Sequence, residues 1–339
     1  MRAEPTGIDL PCDAPFTVLA WCAQHPVKWR ILRVRLPRAL TVANLLLYIV
    51  TVLIWGTTWY VIKLQLGPVP ESWSVAWRFF IAAAAMAVWL MARGRFKDLP
   101  TGRDLAFVCA QGAMLFSLNY WLFYIASNHL TTGLVAIIFS LITLMNIANQ
   151  AVFFRQAVDR RTLMASLTGI VGLVLVFWPE FRHMAPGSSL VFAVGIGVLA
   201  TYFASLGNIL SVRNTRNGLP VLRTNMVGMF AGAVCMSLIA IGSGHPPAIE
   251  LTPTYLGALF YLAVFGSVAA FGCYLTLIHR IGADKGAYAG VAFPVVALLI
   301  STWLEGYRWT PIAGLGVAMI VCGNVLALSK PAATRARSA

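Results

Sequence analysis

The stretch VLIWGTTWYVIKLQLGPVP (residues 52–70) is an apolar run that carries one lysine near its end and then meets two prolines. Together with the apolar residues before it, the run is long enough for a helix that crosses a membrane, and we place this first span at 44–66. The GPVP segment ends the helix, because proline cannot continue the backbone hydrogen bonds. Long apolar runs and short breaks of this kind alternate through the rest of the chain.

The composition is that of a membrane protein. Of the 339 residues, 59% are hydrophobic and 11% are charged, and the mean hydropathy is +0.79. A soluble domain has about a quarter of its residues charged. Each apolar run has about the 17–25 residues that a spanning helix needs, which predicts an all-α polytopic membrane protein with ten transmembrane helices. The predicted spans are 44–66, 72–92, 104–126, 132–154, 162–178, 189–212, 221–241, 254–278, 286–304 and 310–329.

Positive charge is unevenly distributed between the two sides of these spans. The chain has 25 lysines and arginines. All but Lys63, Arg78, Arg182 and Arg308 lie in 1–43, before the first span, in 330–339, at the end of the last, or in the segments 93–103, 155–161, 213–223 and 279–285, which follow even-numbered spans. The bias predicts a multi-pass protein of the cell inner membrane with both termini cytoplasmic. Because the charge is dispersed, we expect contact with anionic membrane lipids and no nucleic-acid partner.

The ten spans divide into two halves of five. We assign 1–43 to a basic cytoplasmic leader, either an interfacial helix or disordered, 44–185 and 186–330 to two five-helix repeats, and 331–339 to a cytoplasmic tail. Five is odd, so the second repeat enters the membrane in the opposite sense, as in many secondary transporters. Glycines three or four apart predict close helix packing. These are Gly169/Gly172, Gly228/Gly232 and Gly286/Gly290.

Several segments, in order, resemble one family. WGTTWYVIKLQLG (55–67) with VAWRFFIAA (75–83), NYWLFYIASNHLTTGLVAIIFS (119–140), and the run AFPVVALLISTWLEGYRWTPIAGLGVAMIVCGNVLAL (292–328) resemble EamA-type transporters of the drug/metabolite transporter superfamily. The resemblance implies ten helices in two inverted repeats and alternating access of a small organic solute. Many members end both the fourth and ninth spans with Gly-Glu. Here Glu305 fills the second place, whereas FFRQ (153–156) has no acid.

Polar and aromatic residues on spans that should face the centre are the candidate binding residues. A buried amide in lipid needs a partner, and helix–helix hydrogen bonding is the alternative role for each asparagine. Interfacial anchoring is the alternative for each tyrosine outside mid-span. Pro294 should kink the ninth span. The residues selected as substrate-binding are Trp55, Asn119, Tyr120, Asn146, Tyr202, Tyr274 and Phe293.

Two cations lie inside predicted spans near the outer side. Lys63 is within one turn of its helix end, where it can extend to the headgroups and cap the helix carbonyls. Glu71 is a candidate ion-pair partner. Alternatively, Lys63 and Arg78 form an outer vestibule that attracts a solute carboxylate.

Sequence motifs for catalysis are missing. No HExxH, GxSxG or phosphate-binding GxxxxGK[ST] occurs, and each of the 11 acids lies in a tail, a loop or a span end. We expect no enzyme activity, no cofactor and no metal, and solute flux that depends weakly on a pH gradient. The predicted function is export of small organic metabolites, with amino acids suggested by the resemblance. A drug or hydrophobic-compound exporter is the alternative within transport, and a membrane-embedded enzyme or scaffold is the alternative of another class. The oligomeric state stays open, and a monomer is plausible.

Overall fold

The protein, seen in a computed structural model, is a bundle of apolar helices. The structure describes residues 41–155, 158, 160–182, 189–282 and 286–328. The predicted leader lies outside them except for its last three residues, and the predicted tail lies wholly outside. The helices are α1 (Val42–Lys63), α2 (Glu71–Ala92), α3 (Gly102–Ser127), α4 (Thr132–Phe154), α5 (Arg160–Arg182), α6 (Leu190–Arg216), α7 (Val221–Gly242), α8 (Pro253–Ile281), α9 (Ala289–Leu304) and α10 (Pro311–Leu328).

The all-α membrane architecture is confirmed. Within the described ranges, nine helices are long and apolar enough to cross a membrane. The exception is α9, which has 16 residues and is therefore about 24 Å long. We predicted its start at 286, but residues 287 and 288 form a turn instead.

The outer surface of the bundle is apolar. Large hydrophobic side chains such as Val88, Phe192, Phe230 and Leu238 are more than half exposed. An extended apolar surface is unfavourable in water and favourable in hydrocarbon. The lipid-facing surface therefore surrounds the helices, and the buried side chains form the core between them.

Helix packing repeats between the two halves. Helix α2 packs on its counterpart α7, and α5 packs on its counterpart α10. The packing of α1 on α8 and α9 is matched by the packing of α6 on α3 and α4. Each contact in one half therefore has an equivalent contact in the other half, as expected for two five-helix repeats related by a twofold axis.

Helices α3 and α8 occupy equivalent places in the two repeats and share an irregularity. Each contains a wide π-helical segment, at Met114–Leu118 in α3 and at Tyr261–Ala269 in α8. Such segments rotate the following residues around the helix axis and occur often at functional sites. Leu115 of the first segment lines the central space of the bundle, and the second segment ends two residues before Phe271, which also lines it.

The equivalent helices α4 and α9 differ. Helix α4 is interrupted at Ser140 and Leu141, between helical segments Thr132–Phe139 and Ile142–Phe154. Helix α9 continues through Pro294. The proline at 294 has no N–H to bond to the carbonyl of Gly290, so α9 loses one hydrogen bond without a break.

Close packing explains most of the predicted glycine pairs. A Cβ atom on Gly172 would lie 2.7 Å from the Gly316 carbonyl oxygen, and one on Gly232 would lie 2.9 Å from the Gly112 carbonyl oxygen. These glycines let α5 approach α10 and α7 approach α3. For Gly290 the packing prediction is wrong, because nothing lies within 4 Å of its Cβ position.

Candidate functional site

A cavity of about 340 Å³ lies at the centre of the bundle, between α1, α3, α4, α6, α8 and α9. Its lining includes Gly290 at the start of α9 and Leu328 at the end of α10. We call the side of the bundle where α1 begins and α10 ends the termini end, and the opposite side the far end. The cavity extends from Ile62, near the far end of α1, to Leu328 at the termini end.

Six of the seven predicted substrate-binding residues line this cavity. Tyr202 does not line it, because its side chain is 41% exposed on another face of α6. Thr58 and Asn208 also line the cavity. Asn149 instead donates a hydrogen bond to Ser205 at 2.8 Å, which is the helix–helix role named above. The six residues are Trp55, Asn119, Tyr120, Asn146, Tyr274 and Phe293.

Aromatic rings form one side of the cavity. The Trp55 ring centroid lies 5.0 Å from that of Tyr274, 5.6 Å from Phe271 and 6.2 Å from Phe293. Rings at these separations and tilts stabilise one another and present flat apolar surfaces. A planar or apolar group of a solute fits this side.

Polar groups of the cavity are the amides of three asparagines and the hydroxyls of two threonines and two tyrosines. They belong to Asn119, Asn146, Asn208, Thr58, Thr143, Tyr120 and Tyr274. Asn119, directly after the wide segment of α3, is buried, and its Oδ1 has no hydrogen-bond partner. Asn208 donates to Asn146 Oδ1 at 3.3 Å. The carbonyl of Gly290 has lost the helix bond that Pro294 cannot make. The buried acceptor of Asn119, which has no partner, favours a ligand that donates hydrogen bonds.

Four aromatic side chains close the cavity toward the far end. We call Trp59, Phe123, Phe139 and Phe293 the ring cluster. Trp59 lies 5.1 Å from Phe123 and 5.5 Å from Phe139, and Phe139 lies 5.8 Å from Phe293, between centroids. The cluster joins α1, α3, α4 and α9, so any opening at the far end has to separate these helices.

Beyond the ring cluster, three residues connect the far ends of α1, α4 and α9. We call Lys63, Thr132 and Glu305 the far-end cluster. Lys63 Nζ donates to Glu305 Oε1 at 2.7 Å, and Glu305 Oε2 accepts from Thr132 N and Oγ1 at 2.9 and 2.6 Å. Our expected Lys63–Glu71 pair is wrong, because Glu71 instead accepts from Asn128.

The charge of Glu305 is stabilised by its neighbours. Burial alone would raise the pKa of Glu305, but hydrogen bonds from Lys63 and Thr132 outweigh it and hold the pKa below its ordinary value. The carboxylate is therefore ionised at neutral pH. Its partners come from two other helices, so its charge holds three helix ends together.

The structure separates the two cations that we had placed in a shared vestibule. Lys63 is 41% exposed and paired with Glu305. Arg78 is 1% exposed and lies inside the bundle between α2, α3 and α8. An open outer vestibule that contains both side chains is therefore not present in this conformation.

The EamA-like transporter family model matches the chain twice, at residues 43–178 and 191–329. The chain belongs to the EamA-like transporter family. The two matches coincide with helices α1–α5 and α6–α10, which confirms the two repeats that we predicted.

Named relatives of this EamA-family protein are similar over most of their length. It is 25% identical to the uncharacterized inner membrane transporter YedA of Escherichia coli, over 81% of this chain and 87% of that one. It is 24% identical to protein PagO of Salmonella typhimurium (84% and 92% covered) and 25% identical to protein PecM of Dickeya dadantii (82% and 91% covered). A crystal structure of another protein shares the fold, with a TM-score of 0.59 at 18% identity, over 84% and 96% of the two chains.

Sequence reasoning missed several residues of the EamA-family cavity. Phe271 and Phe139 are part of its surface, but each lies in an apolar run where it resembles a lipid-facing residue. Thr132 was easier to notice than these two residues, because it begins a span within a segment that resembles the family. The contact of Thr132 with Glu305, 173 residues away, depends on the repeat packing and has no local pattern.

Proposed function

We propose that the protein exports small, partly aromatic organic solutes across the inner membrane by alternating access. Amino acids and related compounds are the first solutes to test. A cavity that reaches the termini end and is closed at the far end is the observation that carries the proposal. With cytoplasmic termini, this conformation takes up solute from the cytoplasm.

Opening to the other side requires two changes. The ring cluster has to separate, and the Lys63–Glu305 ion pair has to break or move with α1 and α9. Both clusters join helices of the first repeat to α9 of the second. A relative movement of the two repeats would close the termini end and open the far end.

The wide segments of α3 and α8 support such movement. A π-helical turn leaves the backbone hydrogen bonds less regular than an α-helix does, so these helices can bend there at little cost. The missing hydrogen bond at Pro294 and the interruption at Ser140 have the same effect in α9 and α4. All four helices line the cavity.

A hydrophobic-compound exporter is the second candidate. The aromatic side of the cavity around Trp55 favours it. The chemistry of the lining disfavours an enzyme, because the described cavity residues include no carboxylate, histidine, lysine or cysteine. The relatives named as transporters also support a transport role. No coupling proton is expected, since the lining has no acid that could carry one.

The experiment is counterflow in proteoliposomes with a panel of amino acids, aromatic acids and amines. Gly290→Leu adds a side chain in the open space of the cavity and should abolish flux. Gly314→Leu is the matched control, because its Cβ position is equally free of neighbours but lies on α10 away from the cavity. Equal flux in both variants would contradict a path through this cavity.

The coupling is tested with the same vesicles. Collapsing the pH gradient with an ionophore should leave most of the flux. Complete loss of flux would show that protons drive transport and would require a proton-carrying group outside the described lining.

A further inference from the structure

Arg78 is a fully buried cation in the middle of the protein. It is 1% exposed and lies on α2, two turns after the helix begins. Its Nε donates to Ser267 Oγ at 3.3 Å, while its Nη1 has no hydrogen-bond partner. The Ser267 hydroxyl itself donates to the Leu262 carbonyl inside the wide segment of α8, so its oxygen can accept from Arg78.

No carboxylate compensates this charge. Among the residues that the structure describes, the ion pairs are those of Lys63, Arg213 and Arg223, and Arg78 takes part in none. A guanidinium stays protonated even when it is buried. An unpaired charge in a low-dielectric interior is costly and usually marks a functional place.

The guanidinium lies directly behind the surface of the cavity. Its Cζ is 4.5 Å from the ring centroid of Tyr120, which lines the cavity. A Cβ atom on Gly266 would lie 3.6 Å from Arg78 Nη2 and 2.9 Å from the methyl group of Thr58, another lining residue. Gly266 therefore makes the space in which Arg78 approaches Thr58.

We propose, on the basis of the transport function above, that Arg78 makes the cavity select solutes that carry a carboxylate. The positive charge acts through Tyr120 and Thr58, and the solute supplies the counter-charge that the protein lacks. Arg78 is thus a positioning residue, and the aromatic side around Trp55 binds the apolar part of the same solute. The preferred class is an aromatic or apolar carboxylic acid, including zwitterionic amino acids.

The alternative is a cavity that prefers amines, and the positive charge of Arg78 disfavours it. Aromatic rings attract ammonium groups through their faces, and the cavity has several rings. However, the ring of Tyr120 already contacts the guanidinium of Arg78. This positive charge would repel a second cation nearby. Arg78 therefore turns an aromatic cavity that would otherwise accept amines into one that favours acids.

The test uses three probes of one shape: 3-phenylpropionate, 3-phenylpropionamide and phenethylamine. Binding to the purified full chain is measured from the ligand-dependent rise of the thermal unfolding midpoint. We expect the carboxylate to bind more tightly than the amide by roughly tenfold, the size of a charge interaction across several ångströms of protein, and the amine to bind most weakly. Arg78→Met should bring the carboxylate and the amide to equal affinity, and Arg78→Lys should keep the preference.

Two controls separate selectivity from folding. Arg308→Gln removes an exposed cation outside the cavity, so it should leave the ratio of carboxylate to amide affinity unchanged. If Arg78→Met does not fold, the ratio in the wild-type protein and in Arg78→Lys still decides the question. Equal wild-type binding of the three probes, or tighter binding of the amine, would overturn the role of Arg78 and leave the cavity as a solute site. Binding of none of them would contradict the proposed function itself.

Discussion

Lys63 and Glu305, 242 residues apart in the chain, form an ion pair of 2.7 Å between the far ends of α1 and α9. The carboxylate side chain of Glu305 is 4% exposed, whereas that of Lys63 is 41% exposed. The lysine of this pair is therefore partly in contact with solvent, whereas the carboxylate is buried. The second carboxylate oxygen of Glu305 accepts hydrogen bonds from Thr132, so α4 is also joined to α1 and α9.

Breaking this pair should favour opening at the far end. Lys63→Gln removes the cation and leaves the nearly buried carboxylate of Glu305 to Thr132 alone, so it should lower stability by about 1–3 kcal/mol. A cysteine introduced at Ile62, which is 2% exposed near the far end of the cavity, should be labelled faster in this variant by a reagent that cannot cross the membrane. Arg308→Gln, which removes an exposed cation nearby, is the control. Unchanged labelling in Lys63→Gln would contradict a gating role.

The contribution of Glu305 should depend on pH in one direction. Its pKa is lowered in the folded protein from a reference value of 4.5. Stabilisation by the carboxylate is thus present at neutral pH and lost as the pH falls below 4.5, through the lowered pKa. The unfolding midpoint of Glu305→Gln should lie below that of the wild type at pH 7, and the gap should shrink on acidification. Glu180→Gln, at an exposed site, should show no such trend; a gap that stays constant for Glu305→Gln would contradict the assignment.

A methyl group at Gly112 should disrupt the contact between α3 and α7. Its Cβ would overlap the Gly228 carbonyl oxygen, which is backbone and cannot move away alone. Gly112→Ala should cost about 1–3 kcal/mol through overpacking, seen as a lower unfolding midpoint in detergent. Gly195→Ala on α6 has open space and should be neutral or stabilising by up to about 1 kcal/mol. Similar midpoints for the two variants would count against this packing.

Pro294→Ala should give a folded but slower transporter. Alanine supplies the N–H that can bond to the Gly290 carbonyl, which makes α9 harder to bend. Initial rates of counterflow should fall while the unfolding midpoint stays equal or rises. Pro253→Ala is the control, because Pro253 is the first residue of α8, where no helix bond is missing. Wild-type rates in Pro294→Ala would remove the proline from the mechanism.

The orientation of the bundle is open to a direct test. A reporter enzyme that is active only outside the cytoplasm should be silent when fused after Lys330. The same reporter fused after Glu250, between α7 and α8, should be active. The reverse pattern would place the termini end outside and would make the protein an importer in the conformation described here.

The sequence predicted the helices better than it predicted the cavity. Helix positions follow from runs of apolar residues and from breaks such as GPVP, so the prediction for α1 differs from the structure by three residues at its end. Six of the seven residues that we predicted to bind solute line the cavity, because polar and aromatic residues inside lipid need an explanation. Tyr202 failed because a tyrosine on α6 can face lipid as readily as the centre.

The expected pair of Lys63 and Glu71 did not form, because proximity in sequence does not determine contacts between helices. Glu71 is near Lys63 in sequence, but the loop between α1 and α2 leaves it beside Asn128. Glu305 reaches Lys63 only because the second repeat packs α9 against α1. Likewise, the wide segments of α3 and α8 have no marker residue, since MLFSL and YLAVFGSVA are ordinary helix sequences.

The burial of Arg78 has a consequence for how the protein is made. Its hydrogen-bond partner Ser267 lies 189 residues later, so roughly 10–40 s pass between the synthesis of the two at ordinary rates of translation. During that interval α2 sits in or beside the translocon with a cation that α8 does not yet cover, and a charge inside a spanning helix is costly. The first repeat is therefore an unstable intermediate of membrane insertion, and a ribosome that stalls between α5 and α8 would leave a nascent chain exposed to quality-control proteases.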